Sequence, residues 1–167
     1  MHSFTDFRAR LEDMLNLDIL PFWLKLIDRE HGGFYGRVDN DGTVHKDAEK
    51  GVILHSRILW TFSEAYRLTG KREYLEAADH AYSFLSEKAW DPEYQGLYWM
   101  LGGSSEPTLD FKHSYNQAFG IYAFSTYYQA TRKQEALDYS RKLFHLIESV
   151  WHDGTGYLEQ LTRAFQP

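Results

Sequence analysis

The sequence predicts an all-α fold, a curved stack of helical hairpins forming part of an (α/α) toroid, with short β-hairpins on one rim. Three observations carry that prediction. The chain resembles itself at a shift of 62 residues, as in Phe62 and Phe124. Helices apolar around most of their circumference alternate with helices apolar on one face, and an acidic, glycine-containing, aromatic turn recurs after each one-faced helix.

Taken in order, Ser3 to Leu20 has the spacing of a leading outer helix, which Pro21 is expected to end. Asp28 to Gly36 is the first acidic turn, and Phe34 to Val38 is expected to pair with Thr43 to His45 across Asn40-Asp41-Gly42. Val52 to Leu68 is apolar on nearly all sides, as suits an inner helix with neighbours around it. Beyond the tight turn Thr69-Gly70-Lys71, Glu73 to Lys88 sets Tyr74, Leu75, Ala77, Ala78 and Ala81 opposite Arg72, Glu76, Asp79 and Ser83, the pattern of an outer helix. Asp91 to Trp99 repeats the acidic turn. Ser114 to Ala130 and Gln134 to Trp151 then repeat the inner and outer types across Thr131-Arg132-Lys133, and Asp153 to Glu159 is the third turn.

Identities at the 62-residue shift fall without gaps at Phe62/Phe124, Ser63/Ser125, Tyr66/Tyr128, Thr69/Thr131, Lys71/Lys133, Glu73/Glu135 and Leu75/Leu137. Inner helices covered all round and outer helices covered on one side imply a stack that curves toward closure. A tetratricopeptide superhelix would repeat at about 34 residues instead. Residues 1–167 are expected to form a single unit, and two complete pairs plus a leading helix are too few to close a ring. Such a stack leaves apolar faces uncovered, so either self-association through its open ends or a chain continuing past Pro167 is expected.

Aromatic residues make up 17% of the chain, with 5 Trp and 12 Tyr, an excess over ordinary usage. Two explanations stay open: rings filling wide spaces between helices, or rings lining a site for a ligand with apolar patches and hydroxyls, such as a sugar. The net charge of −6, with 18 scattered Lys and Arg, argues against a nucleic-acid partner. The absence of cysteine excludes disulfides and thiolate chemistry. No run approaches 18 consecutive apolar residues, so no membrane span is expected. Met1 to Arg10 carries Asp6, Arg8 and Arg10 where a signal peptide is apolar. A cytoplasmic location with no cofactor is the expectation, and no histidine cluster has the spacing of a metal site.

Four stretches resemble the N-acylglucosamine 2-epimerase superfamily, and within it the cellobiose 2-epimerases. They are Ile19-Leu-Pro-Phe-Trp23, Gly32-Gly-Phe-Tyr-Gly-Arg37, the long run from Lys50 to Tyr66, and Lys112-His-Ser-Tyr-Asn-Gln-Ala-Phe119. The resemblance implies an (α/α)6 barrel of roughly 400 residues, six pairs at about 60 residues each, of which this chain is the N-terminal part. It also implies an isomerase that interconverts the C2 configuration of an aldose, in the cellobiose enzymes the reducing-end glucose of a disaccharide. The ring opens, the C2 proton is removed to give an enediolate, and a proton returns to the other face. Two histidines of later helices do that work in the family and have no counterpart here, so the chain alone is expected to be inactive.

Arg57 lies on an otherwise apolar inner helix, where burial would demand a partner. A pair with Glu64 or Glu49 and a role as donor to the sugar O1 and O2 oxygens both fit that placement; the resemblance implies the second, stabilising the enediolate. By the same resemblance Tyr115 contacts substrate, and Asn116 beside it is a further substrate-binding candidate. Trp60 and Phe119 are candidates for stacking on a sugar face, although aromatics at helical spacing commonly belong to the core. His55 joins the substrate-binding candidates. His55 and His113 both stand near the start of an inner helix, where bonding to nearby backbone competes with an acid–base role. His2, His31, His45, His80, His145 and His152 read as solvated. A binding or assembly module without chemistry, an N-acylglucosamine 2-epimerase and a mannose isomerase are the alternatives. A glycoside hydrolase would need an interior carboxylate pair, for which only Glu64 and Asp110 offer.

Overall fold

The structure, a computed structural model, describes residues 4–166. Ser3, where the leading helix is expected to start, and His2 lie outside the described residues. Helix α1 (Phe4–Asp13) runs through a π turn (Met14–Ile19) into α2 (Leu20–Leu24). Pro21 therefore does not end this helix. Proline removes one N–H and crowds the carbonyl four residues earlier, and the wide π turn directly before it relieves that crowding. No residue of α1 is buried; Phe4, Phe7 and Leu11 are exposed along it, as are Met14 and Leu17 along the π turn.

The two repeat units follow as expected. Helix α3 (Val52–Thr69) and helix α5 (Ser114–Thr131) are the inner helices and lie side by side; α4 (Arg72–Ser83) packs behind α3, and α6 (Gln134–Leu146) behind α5. Each outer helix ends in a π turn, Phe84–Lys88 and Ile147–Trp151, whereas the leading helix continues beyond its own into α2. The inner helices stop the same way: Gly70 and Arg132 turn left-handed, at φ 70° and 61°, and donate their N–H to the Tyr66 and Tyr128 carbonyls. Fully buried Ala78 and Ala81 let α4 approach α3 closely, and Phe62 and Phe124 fill matched places in the core.

The rim carries short antiparallel strands. β1 (Arg37–Val38) pairs with β2 (Val44–His45), the expected hairpin with shorter arms. β3 (Lys50–Gly51) leads into α3 and pairs with β4 (Met100–Leu101), which pairs in turn with β5 (Pro107–Leu109). β6 (Lys112–His113) leads into α5 and pairs with β7 (Gln160–Leu161). Each inner helix is thus preceded by a strand bound to the following hairpin, a link between units that local patterning does not reveal. No helix of the described residues is long and apolar enough to cross a membrane.

Candidate functional site

The face of α3 that carries Arg57, Trp60 and Thr61 meets the face of α5 that carries Tyr115, Phe119 and Tyr122. The spacings i, i+3, i+4 and i, i+4, i+7 put each set on one side of its helix. Together these six residues line a cavity of about 330 Å³. The wall is aromatic and continuous: Trp60 stacks on Tyr122 at 5.2 Å and 17°, Phe119 meets Tyr122 edge-on at 6.0 Å, and Tyr115 meets Phe119 at 4.8 Å. Toward the rim it continues through His113, 6.2 Å from Tyr115, to Trp99, on which the imidazole stacks at 5.1 Å.

Arg57 is exposed, not buried, and of its two readings the pair with Glu64 or Glu49 does not form. Glu64 binds Arg67 at 2.5 Å, and Glu49 accepts from the Thr108 hydroxyl at 2.8 Å. The helix position that looked buried lines a cavity in the hollow of the curved stack, where the guanidinium is open to solvent. Arg57 also borders a second cavity of about 260 Å³ lined by Trp23, Leu54, Ile58, Thr61 and Phe62. Burial raises the pKa of the Tyr122 hydroxyl, Glu64 nearby adds to the rise, and Arg57 opposes it. That residue was missed in the sequence, although it stands 62 residues after Trp60.

Two candidates lie elsewhere. His55 is fully buried: its Nε2 accepts from the Phe34 N–H at 2.8 Å, and its Nδ1 lies 2.8 Å from the Gly51 carbonyl. Both ring nitrogens are used by backbone, so neither is left for a substrate. Burial pushes its pKa down to about 4, Lys50 pushes the same way, and the imidazole is neutral. Gly33 packs against it at φ 69°, where a Cβ would come within 2.6 Å of His55 Nε2 and of the Phe84 ring. Asn116 is buried as well and donates to the Tyr98 carbonyl at 2.7 Å, away from the cavity lining. Nor are the outer histidines all solvated. His80 reaches the carbonyls of Asp28 and Gly33 at 3.0 and 2.8 Å, and His45 lies 2.5 Å from Asp39.

A buried charge pair supports the start of each inner helix. Lys50 and Lys112 are fully buried; Lys50 Nζ binds Asp28 at 2.6 Å, and Lys112 Nζ binds Asp91 at 2.9 Å and the Gln95 carbonyl. The next rim loop caps each pair. Lys50 donates to the Ser105 hydroxyl at 3.1 Å, while Arg163 binds Asp91 with two nitrogens at 2.9 and 3.0 Å. Burial pushes the Asp91 carboxyl up, but Arg163 and Lys112 outweigh it and hold the pKa well below the usual range. Asp28 is likewise lowered, by Lys50 and backbone N–H groups acting against burial.

The architecture defines the class first. Paired inner and outer helices curving around an aromatic hollow make this chain part of an (α/α)6 toroid. The same fold is seen in the glycoside hydrolase family 76 mannosidase Bt3792 from Bacteroides thetaiotaomicron, at a TM-score of 0.72 and 19% identity over 95% of this chain and 40% of that one. The chain belongs to the N-acylglucosamine 2-epimerase (GlcNAc 2-epimerase) family, whose model matches residues 33–167. It is 47% identical over 158 residues to the cellobiose 2-epimerase of Ruminococcus albus, covering 95% of this chain and 41% of that protein. The structure of cellobiose 2-epimerase from Bacillus thermoamylovorans superposes at a TM-score of 0.96 with 48% identity, over 98% of this chain and 43% of that one. The chain thus spans about two fifths of the length of the relatives it matches.

Proposed function

We propose that this chain is the N-terminal part, residues 1–167 as one unit, of a sugar 2-epimerase of the cellobiose type, and that it supplies one wall of the substrate site. The observation that carries the reading is the exposed Arg57 guanidinium set beside the Trp60, Tyr115, Phe119 and Tyr122 rings around one cavity. Aromatic faces pack on the C–H faces of a pyranose, while the guanidinium donates to the oxygens at C1 and C2 of the opened sugar. As the C2 proton leaves, negative charge grows on those oxygens, and a fixed cation there stabilises the enediolate. The cavity lining holds no imidazole or carboxylate, so this chain by itself binds without moving the proton. That lining also favours a second reading, a carbohydrate-binding module without chemistry.

Incubation with cellobiose, mannose and N-acetylglucosamine in D2O tests the proposal. No deuterium should enter C2 with the purified chain, and tryptophan fluorescence should report saturable binding. Arg57→Met should weaken that binding roughly tenfold or more, the worth of a charge-assisted hydrogen bond. Deuterium at C2 would refute the inactivity of the chain, and unchanged affinity in the variant would remove Arg57 from the site. The cytoplasm is the proposed location. Self-association of the isolated chain through the open ends of the partial ring is proposed with it, favoured by the exposed apolar residues at those ends, Phe7 and Leu11 at one and Phe144 at the other. A monodisperse monomer by light scattering would count against it.

A further inference from the structure

The second inner helix starts differently from the first. Val52 donates its N–H to the Trp99 carbonyl at 3.4 Å, and Ser114 donates its own to the Glu159 carbonyl at 3.0 Å, so Trp99 and Glu159 hold matching places in successive rim hairpins. Beside both stands His113, whose counterpart 62 residues earlier is Gly51. Gly51 caps α3 without a side chain, whereas His113 Nδ1 accepts the Tyr115 N–H at 3.2 Å. A helix start of this type therefore does not require an imidazole. Because Nδ1 is the acceptor, the ring proton sits on Nε2, and that nitrogen faces Glu159 Oε1 at 3.3 Å. The imidazole stacks on Trp99 at 5.1 Å and 28°. Trp99 and His113 are half-buried, and the Glu159 side chain is 85% exposed. Neither the Trp99 indole N–H nor the second Glu159 carboxylate oxygen has a hydrogen-bond partner among the described residues.

We propose that Trp99, His113 and Glu159 form a second sugar subsite, which takes the pyranose glycosidically linked to the one at Arg57 and favours disaccharides over monosaccharides. The inference rests on the substrate wall of the proposed function and extends it. Arg57 and Tyr115 lie in the first two turns of their helices, so a substrate longer than one ring leaves the cavity toward the rim hairpins. The aromatic surface runs the same way, from Tyr115 to His113 at 6.2 Å and on to Trp99. The three groups supply what a pyranose needs: a ring against its C–H surface, N–H donors for its oxygens, and a carboxylate that accepts from its hydroxyls. The Nε2–H only donates and the ionised Glu159 only accepts. A hydroxyl between them accepts from the first and donates to the second, which fixes its orientation. The direct contact between imidazole and carboxylate is long and exposed, so it yields readily to such a hydroxyl.

Indole NMR of the full chain, titrated with glucose, mannose and cellobiose, tests this. The Trp60 resonance should shift with all three sugars and the Trp99 resonance with cellobiose alone. Glu159→Gln should weaken cellobiose binding about tenfold and leave glucose and mannose binding unchanged. His113→Asn keeps a side-chain acceptor for the Tyr115 N–H but withdraws the Nε2 donor and the ring on Trp99. It should give the same selective loss with the thermal midpoint retained. A silent Trp99 resonance at cellobiose saturation would overturn the proposal. So would cellobiose affinity indifferent to both changes, or equal losses for mono- and disaccharide, which would mean that the two residues act only by holding Tyr115. Arg57→Met separates this subsite from the wall on which it rests, because it should weaken every sugar alike. If it does so while the other two variants show no selective effect, only the second subsite falls; if no sugar binds at all, the wall falls and the subsite with it.

Discussion

The two helical units solve one problem with different side chains. Where α3 carries His55, α5 carries Gln117 at the same place, 62 residues on. Gln117 Oε1 accepts the Leu97 N–H at 2.7 Å and its Nε2 donates to the Leu97 carbonyl at 2.8 Å, while His55 accepts the Phe34 N–H and sits against the Gly51 carbonyl. The shared requirement is a buried acceptor for one loop N–H and a donor for a nearby carbonyl. An imidazole there is a scaffold group, and its ability to titrate is incidental.

The largest test of the comparison lies at the lysines. Lys50→Met should cost about 3–5 kcal/mol, because it strands the buried Asp28 carboxylate with only backbone N–H groups and the more distant His31 at 3.7 Å. Lys112→Met should cost about half as much, since Arg163 still holds Asp91 with two nitrogens. Urea unfolding measures both, and equal losses would mean that the Arg163 contact contributes nothing.

Next in size is the matched polar position. His55→Ala should lose on the order of 3 kcal/mol by leaving buried backbone groups unpaired and a cavity behind, whereas His55→Gln should lose less than half of that. The unfolded imidazole takes up its proton near 6.5, and the folded one, buried and beside the Lys50 cation, only near 4. The unfolded state therefore binds more protons in that window. Stability is full above about pH 6.5 and falls as pH drops to about 4, by roughly 3 kcal/mol. Stability curves across that range should flatten in His55→Gln; an unchanged slope would assign it to another group. The smallest effect is at the inner-helix stops. Arg132→Gly should gain about 0.5–1 kcal/mol by removing a left-handed arginine where the first unit uses Gly70, read as a small rise in the thermal midpoint.

The helices, their inner and outer alternation, the first hairpin and the family were all legible in the sequence, because each rests on local periodicity or on long motifs. Four of the six candidate residues, Arg57, Trp60, Tyr115 and Phe119, meet around one cavity. The misreadings share a cause. Apolar neighbours made Arg57 look buried, yet curvature of the stack, a tertiary property, turns its face toward solvent. His55 and Asn116 sit within a residue or two of cavity residues, but half a turn of helix directs them into the core. The Asp28–Lys50 and Asp91–Lys112 pairs were foreshadowed by the acidic turns and by the lysine opening each motif, and the matched spacing was the unused signal. Arg163 reaching Asp91 across 72 residues had no local signature.

Ser105 and Arg163 place the cover of each buried pair in the loop that follows it. Translation from the N-terminus therefore delivers the acid first, its lysine about twenty residues later, and the lid only after another helical pair has emerged from the ribosome. Every unit waits in a half-finished, solvent-open state for its successor, which gives co-translational assembly a fixed direction and makes a stall between units the moment of greatest exposure to proteases.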